Sequence, residues 1–372
     1  MVPGRTMGRK EFITQVCCGA ALAATRSADG GSPSSVPVPK RVRGLFAFDP
    51  SVDADVFARA CHEWGVDTAI LHPGFFQDGR MSAALARAGI ALWLNVPVFF
   101  DQAYLEAHPD CYAITSRGRK ATESWLHFAC PSREDLIERR VRELGDCLSK
   151  LEPAIVSLDF IRHFVFWEKV DLLGPPAAIE DGCYCELCLS SFGRFCGEAV
   201  ESRTAAARVR SELKGPWSEW KCRTITAVAE RLFAEARRLR PEARLAIKTV
   251  PWREQDLDGA IRSCAGQDVA ALGRQVDMVA PMAFTHALRQ TPEWKRALLA
   301  HVKAVGGKPV ISYVQTEKLY RDEAITPEQF EAELAEALDE SWAGTALFEY
   351  QQLAADPVKA ALLRRRVEAT KA

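Results

Sequence analysis

The sequence predicts a single (β/α)8 barrel of the α/β class, with a cysteine-rich metal-binding loop after the fourth strand. Eight apolar segments rich in β-branched residues alternate with amphipathic segments of helical period. This alternation implies parallel strands with right-handed crossovers, and eight such units close into a barrel. An open doubly wound sheet is the alternative, but the first strand is followed by Phe48, Asp49 and Pro50 instead of a glycine-rich phosphate loop.

Each predicted unit consists of one strand and the helix that follows it. The strands are predicted at 44–48, 67–72, 91–99, 154–160, 244–250, 277–284, 309–314 and 345–350. The helices are predicted at 53–64, 80–88, 133–151, 217–239, 266–274, 292–305, 327–340 and 355–368. The strands are short apolar runs because parallel strands are buried on both faces. Several helices open with Asp, Ser or Thr followed by Pro or Glu, the pattern of a helix N-terminus.

Residues 1–41 differ in composition from residues 42–372, which we assign to the barrel. Arg9 and Lys10 precede a short apolar run that ends near Ala23, and a spacer rich in Ser, Gly and Pro follows. These are the parts of a cleavable export signal, which would leave no stable membrane anchor. The pair resembles a twin-arginine signal with Lys as the second residue. The general secretory route and an ordinary disordered N-terminus are the alternatives.

Composition and charge narrow the class of partner. The 372 residues are 48% apolar, which is enough to bury a large core. The formal net charge is −1 at pH 7, so no bulk field attracts nucleic acid or anionic lipid. Nine Trp and six Tyr favour a carbohydrate partner, because sugar faces stack on aromatic rings.

Polar or aromatic residues follow the predicted strands at their C-terminal ends, where (β/α)8 barrels bind their ligands. The residues that we expect to bind substrate there are Asp49, His72, Asn95, Arg162, His163, Trp252, His286 and Tyr313. Hydrogen-bonding groups would contact sugar hydroxyls, and aromatic rings would stack on the sugar. For each residue alone a packing role is the alternative, but together they predict a ligand site.

The twelve cysteines include one dense cluster. Cys183, Cys185 and Cys188 form a C-x-C-x-x-C loop after the fourth strand, and Cys130 stands at a loop-to-helix junction after the third. Four thiolates hold Zn²⁺ in a closed tetrahedron that leaves no position for water, so the predicted zinc is structural. Disulfides are the alternative for an exported protein.

The segments around this cluster resemble a known family. Residues 125–195 contain, in order, a Cys-Pro loop that leads into a helix, a strand, a C-Y-C-x-x-C loop and an aromatic-rich helix. This order is similar to that of the zinc-bearing β-galactosidases of glycoside hydrolase family 42. The resemblance implies that the zinc ligands are Cys130, Cys183, Cys185 and Cys188. The family's catalytic pair does not carry over, because Asp159 stands where the family has Asn-Glu.

The fourth strand resembles a second group of barrels. Asp159-Phe-Ile-Arg162-His163 is similar to the fourth-strand motif of α-amylase-like and uncharacterised glycoside hydrolase barrels, and VDMVAPMAFTH in the sixth strand resembles the latter. This resemblance implies that Asp159 is the nucleophile and that its neighbours bind sugar. The matching family places its acid after the fifth strand, where this chain reads KTVPW without a carboxylate.

Glycoside cleavage requires two carboxyl groups, one ionised and one protonated. Asp159 is the first candidate, because adjacent Arg162 and His163 would favour its ionised form; a structural aspartate that caps the loop is the alternative. Glu349 is the predicted partner, since it closes the eighth strand in an apolar setting that favours a protonated acid. The alternative partners are Glu317 and Glu254.

The sequence therefore predicts an exported, periplasmic or extracellular glycoside hydrolase that cleaves an oligo- or polysaccharide beside a structural zinc. A carbohydrate-binding barrel without turnover is the alternative, favoured by the missing fifth-strand acid. A third hypothesis is a catalytic metal site built from His72, His163 or His286.

Overall fold

The computed structural model describes residue 36 and residues 39–370, and the latter form the predicted (β/α)8 barrel. The barrel strands are β1 (Val42–Phe46), β2 (Thr68–Leu71), β3 (Ala91–Pro97), β4 (Ile155–Asp159), β5 (Arg244–Thr249), β6 (Met278–Pro281), β7 (Ile311–Gln315) and β8 (Gly344–Phe348). Each overlaps one predicted strand. The predicted export signal lies outside the described residues, so the boundary at residue 41 stays a prediction.

The eight strands form one closed parallel sheet. Their hydrogen-bonded order is β6-β5-β4-β3-β2-β1-β8-β7, and a parallel bridge between Val279 and Val310 joins the two ends. Since β4 and β8 are four strands apart in either direction, they lie on opposite sides of the barrel. All residues of β4 and β7 are buried, as expected for strands covered on both faces.

Helices surround the sheet and fill the longer connections. They are α1 (Ala54–Glu63), α2 (Arg80–Ala88), α3 (Gln102–Ala107), α4 (Glu134–Lys150), α5 (Glu186–Cys196), α6 (Ser202–Arg208), α7 (Lys214–Leu239), α8 (Ala260–Ser263), α9 (Val269–Gly273), α10 (Thr285–Leu288), α11 (Pro292–Gly306), α12 (Pro327–Ala337), α13 (Tyr350–Ala354) and α14 (Pro357–Ala369). The helix predicted at 266–274 is shorter than expected, because the side chain of Asp268 caps it at Ala271. Among the described residues, no helix is long and apolar enough to cross a membrane.

The connections after β3 and β4 are long, and they pair with each other. A two-residue hairpin joins Thr122–Glu123 to Leu126–His127 in the first connection. Antiparallel bridges join Thr115 to Gly182 between the two connections, and Val165 to Asp181 within the second. This pairing brings Cys130 of the first connection to the cysteine loop of the second.

Candidate active site

Asp159 ends β4 at the C-terminal mouth of the barrel, and its carboxylate is fixed by three donors. Its Oδ2 accepts hydrogen bonds from Lys248 Nζ at 2.8 Å and from Asn95 Nδ2 at 3.1 Å. Its Oδ1 accepts from the backbone N–H of Phe160 at 2.8 Å. Because a carboxylate oxygen has about two acceptor positions, Oδ2 is saturated and Oδ1 keeps capacity for a ligand.

Lys248 in β5 and Asn95 in β3 are held in turn by their neighbours. Asn95 Oδ1 accepts from Ser157 Oγ at 2.9 Å, and Lys248 Nζ lies 4.0 Å from the centroid of the Phe46 ring. Burial lowers the pKa of Lys248, and the Asp159 carboxylate opposes that shift. From the sequence, Lys248 is one of the polar residues at the strand ends, without a specific role; the signal for its buried contact is a single lysine inside the apolar segment RLAIKTV.

Glu349 and Tyr313 lie at the same end of the barrel as Asp159. Glu349 follows β8, opposite β4; it is 3% exposed, and its backbone N–H donates to Thr316 Oγ1 at 2.8 Å. Tyr313 in β7 is buried, and burial together with the charge of Asp159 raises its pKa well above the usual value. The barrel therefore brings the two predicted carboxylates to one mouth from opposite sides.

The two alternative partner acids are less buried than Glu349. Glu317 Oε1 accepts from the backbone N–H of Lys318 at 2.7 Å, and its Oε2 lies 3.7 Å from Lys359 Nζ. Glu254 is exposed in the connection after β5. Of the three, Glu349 is the buried one and the one that directly follows a barrel strand.

Aromatic rings line the mouth beside these groups. Phe284 contacts Tyr313 and Phe348, with ring centroids 5.6 and 4.9 Å apart, and Trp167 stacks on Phe284 at 6.0 Å. Trp252 after β5 is fully buried, and its indole N–H donates no hydrogen bond to the described protein groups. Except for the half-buried Phe348, these rings are buried at this end of the barrel, and the Trp252 indole N–H is a buried donor without a described partner.

Arg162 lies near Asp159 but is not hydrogen-bonded to it. The guanidinium is 1% exposed and lies over the rings of Phe128 and Phe160, 4.9 and 5.5 Å from their centroids. Its Nε and one Nη donate no hydrogen bond to the described groups. Burial lowers its pKa, while the charges of Glu168 and Asp159 oppose the shift.

His163 points away from the mouth. Its ring lies 5.7 Å from that of Trp220 in α7, and a Cβ on Gly266 would come within 2.8 Å of it. Burial and the positive charge of Lys221 lower its pKa well below the usual value. The substrate-binding and ionising roles expected of His163 therefore have no support in this geometry.

Two other predicted residues have mainly backbone partners or partial exposure. Asp49 is half-buried, and its Oδ1 accepts from the backbone N–H of Ser51 at 2.8 Å, which closes the turn after β1. His286 in α10 is half-buried, and burial lowers its pKa. Neither shares a hydrogen bond with Asp159.

His72 uses both ring nitrogens on the backbone. Its Nδ1 accepts from the Gly74 N–H at 3.1 Å, which leaves the proton on Nε2 to donate to the Phe48 carbonyl at 3.0 Å. Burial lowers its pKa to about 4. The ring therefore ties the connection after β2 to the end of β1, and neither nitrogen is free for a sugar.

This neutral histidine should make folding stability depend on pH. The unfolded value is about 6.5, so below that pH the unfolded chain binds a proton that the folded chain does not. We expect His72 to lower the free energy of unfolding by up to about 3 kcal/mol as the pH falls from 6.5 to 4. Urea unfolding of wild type and His72→Gln at several pH values tests this; Gln keeps a donor and an acceptor but does not titrate. Identical pH dependence in both proteins would contradict it.

The four predicted cysteines form a cluster that could hold a metal ion. Their sulfur atoms all lie within 4.8 Å of one another, and Cys130 Sγ is 3.6 Å from Cys185 Sγ and 3.4 Å from Cys188 Sγ. A zinc tetrahedron with Zn–S bonds of about 2.3 Å has edges of about 3.8 Å. The Ile114 N–H donates to Cys183 Sγ at 3.3 Å, a contact that stabilises a thiolate. The donor set and spacing therefore suit a tetrahedral thiolate site.

The described residues contain neither disulfides nor a histidine metal site, the two alternatives that the sequence left open. All ten cysteines of the described range are free thiols, so no disulfide forms within it. Within the same range, the cysteine cluster is the one group of three or more His, Cys, Asp or Glu ligands close enough to share an ion. Around His72, His163 and His286, the described residues therefore offer no group of three such ligands.

The cysteine loop is anchored to the barrel by a buried ion pair. Asp181, just before Cys183, accepts from Lys221 Nζ of α7 at 2.6 Å, and both side chains are inaccessible to solvent. Lys221 Nζ also donates to the Cys264 carbonyl at 3.1 Å. The metal-binding loop is thus fixed to the outer helix layer.

Comparisons with known proteins give the fold. No family model and no curated protein matches the chain. Among solved structures, the glycoside hydrolase domain of PgaB (BpsB) from Bordetella bronchiseptica is 15% identical with a TM-score of 0.62, over 87% of this chain and 98% of that domain. The β-galactosidase of the psychrophilic Marinomonas ef1 is 12% identical with a TM-score of 0.66, over 88% of this chain and 59% of that one.

A further β-galactosidase extends the same likeness. Gan42B, a GH42 β-galactosidase from G. stearothermophilus, is 10% identical with a TM-score of 0.63, and the match covers 90% of this chain and 57% of that one. The chain thus spans over half the length of these β-galactosidases and nearly all of the PgaB domain. At the level of fold, the chain is a (β/α)8 barrel similar to the barrels of these glycoside hydrolases, as its sequence predicts.

Proposed function

We propose that this protein is a glycoside hydrolase that cleaves an oligo- or polysaccharide. The observation that carries the proposal is the Asp159 carboxylate, held by three donors at the C-terminal end of β4 with acceptor capacity left on Oδ1. Glu349 at the opposite side and the aromatic wall support it. The shared fold with a glycoside hydrolase domain and with β-galactosidases is in keeping with it.

In the proposed reaction Asp159 works with a second carboxyl group, for which we favour Glu349. With a gap of about 5–5.5 Å between the carboxyl groups, Asp159 Oδ1 would attack the anomeric carbon while Glu349 protonates the leaving oxygen. Water, deprotonated by Glu349, would then release the sugar. With a wider gap of about 6.5–9.5 Å, Asp159 would instead deprotonate a water that attacks directly.

Lys248 and Asn95 would position the nucleophile without touching the substrate. Both donors bind Oδ2, so they fix the plane of the carboxylate and leave Oδ1 toward the mouth. The Lys248 amino group, 2.8 Å from Asp159 Oδ2, would also hold the carboxylate in one orientation. Arg162 and Trp252, with buried donors that lack described partners, would hydrogen-bond sugar oxygens.

We further propose that the four cysteines bind a structural zinc ion and that the protein is exported. The closed set of four thiols supports zinc in a structural role, since no ligand position remains for a reacting water. The composition of residues 1–41 supports export to the periplasm or the exterior.

A carbohydrate-binding barrel without turnover is the second candidate. The full burial of the Asp159–Lys248 ion pair favours it, because such a pair could equally stabilise the barrel core. Reducing-sugar release from a panel of neutral and acidic glycans separates the two functions. Release by the wild-type protein supports the hydrolase, whereas binding of a glycan without release supports the second candidate.

A further inference from the structure

A cavity of about 410 Å³ lies between the two long connections that follow β3 and β4, next to the barrel mouth. Its size is within the range of small-molecule sites in proteins, about 300–1,000 Å³. Phe164 and Phe166 form part of its wall, and both are buried. No residue to which the proposed hydrolysis assigns a role lines it.

The polar wall of this cavity is made of three linked ion pairs. Arg119 binds Glu180 through Nε and Nη2, at 2.7 and 2.8 Å, and Nη2 also reaches Glu123 at 3.3 Å. Lys169 Nζ lies 3.3 Å from Glu123 and 4.8 Å from the centroid of the Phe166 ring. Planar carboxylate and guanidinium groups, fixed in this way, can share hydrogen bonds with neighbouring hydroxyl groups of a ligand.

The charge of the wall selects against an anionic ligand. Its two cations, Arg119 and Lys169, are already paired, and its three acids are Glu123, Asp171 and Glu180. The wall therefore has a formal charge of −1 and no free cation for a phosphate, sulfate or carboxylate. An apolar wall beside polar groups that are already paired suits a neutral polyhydroxylated ring.

One layer of aromatic rings separates the cavity from the proposed catalytic carboxylate. Phe166 contacts Trp125 and Tyr320, at 6.0 and 5.3 Å between ring centroids, and the Trp125 indole N–H donates to the Tyr320 hydroxyl at 2.6 Å. Trp125 also contacts Phe160, the residue after Asp159, at 6.1 Å. Two successive ring contacts of about 6 Å thus join the cavity wall to the residue after Asp159, a span that a chain of several sugar units could cover.

We infer that this cavity is a second sugar-binding site, which holds a unit of the same neutral oligosaccharide chain whose scissile bond lies at Asp159. The inference rests on the proposed function for the identity of the chain, and it specifies that function: the substrate is an uncharged oligosaccharide rather than a monosaccharide glycoside. Loss of this site should weaken the binding of long oligosaccharides and leave the binding of short ones unchanged.

Ala178→Trp is the variant that tests the site. Ala178 is exposed and lies on the cavity wall, so an indole there fills the space without entering the core. Ala177→Trp is the matched control, because Ala177 is the exposed neighbour in the same short 3₁₀ turn and does not line the cavity. Both changes are made in the full chain, with and without Asp159→Asn to prevent hydrolysis.

Calorimetry with cello-, galacto- and chito-oligosaccharides, from disaccharide to hexasaccharide, measures the effect. We expect the affinity for one series to increase with chain length. Ala178→Trp should weaken binding of the longest member of that series by about tenfold and leave binding of the disaccharide unchanged. Ala177→Trp should bind both ligands as the wild type does. Hydrogen exchange should show ligand protection in 164–180. No binding by any series, or equal effects of the two tryptophans, would overturn the inference.

The results distinguish failure of the second sugar-binding site from failure of the proposed hydrolase activity. If wild type releases no sugar but the chain-length effect of Ala178→Trp is found, the cavity stands and the hydrolase fails. If wild type hydrolyses the glycan and Ala178→Trp acts like Ala177→Trp, the hydrolase stands and the cavity fails.

Discussion

Replacing Asp159 by Asn should lower kcat/KM for glycan hydrolysis by about 10³-fold or more, with binding of the uncleaved glycan retained. The amide keeps the size of the carboxylate and an oxygen for Lys248, but it neither attacks the anomeric carbon nor takes a proton. Reducing-sugar assays give the rate, and calorimetry with the same glycan gives the affinity. Hydrolysis within tenfold of wild type would exclude Asp159 as a catalytic group.

The same change leaves the Lys248 ammonium buried without its carboxylate, so a control must separate lost chemistry from lost stability. Breaking a buried ion pair costs about 3–5 kcal/mol, whereas replacing both partners is often close to neutral. The double variant Asp159→Asn, Lys248→Met should therefore recover stability but not activity. Asp181→Asn breaks an equally buried pair with Lys221 outside the mouth, and it should lose stability while the folded fraction keeps its activity.

The Cys130→Ser variant should lose most of its bound metal and unfold at a temperature lower by roughly 10 °C or more. Cys130 is the one ligand that comes from the connection after β3, so its loss separates the two connections that the ion would join. Elemental analysis should find one zinc per wild-type chain, and chelation should lower the unfolding temperature of wild type toward that of the variant.

Cys222→Ser is the matched control for this change. Cys222 is a buried thiol of α7 outside the cluster, and burial raises its pKa to about 12, so it is a neutral packing group. It should keep one zinc per chain and change the unfolding temperature little. Wild-type protein purified without metal, or equal metal loss in both variants, would refute the structural zinc.

The barrel and the cysteine cluster could be predicted because both depend on local sequence patterns. Each strand is an apolar run between turn signals, and alternation with helices allows few topologies. The C-x-C-x-x-C spacing fixes three ligands on one loop, which leaves only the fourth to be chosen among distant cysteines. The grouping of Asn95 with Asp159 followed from strand ends meeting at one mouth.

The direction of the side chains beyond β4 could not be predicted in the same way. Phe160 has a φ of +51°, so the alternation of the strand ends at that residue. Arg162 turns beneath aromatic rings, while His163 turns outward to α7. Two adjacent residues of one motif thus reach different environments, which depend on where Trp220 and Gly266 lie in the folded chain.

The ion pair of Lys248 with Asp159 and the cavity could not be predicted for a related reason. A lysine within an apolar strand has no local sign of the carboxylate that it meets 89 positions away, because that contact exists only once the barrel closes. The cavity likewise depends on Arg119 reaching Glu180 across 61 positions. Periodicity describes single elements, and it holds no information on how two loops without regular structure fit together.

The pairing of β1 with β8 has a practical consequence for handling the protein. Val42 pairs with Gly344, so both strands begin at the end of the barrel remote from Asp159 and Glu349. An affinity tag or a solid support attached upstream of β1 would extend from that remote end, and immobilised protein should admit long glycans as freely as protein in solution.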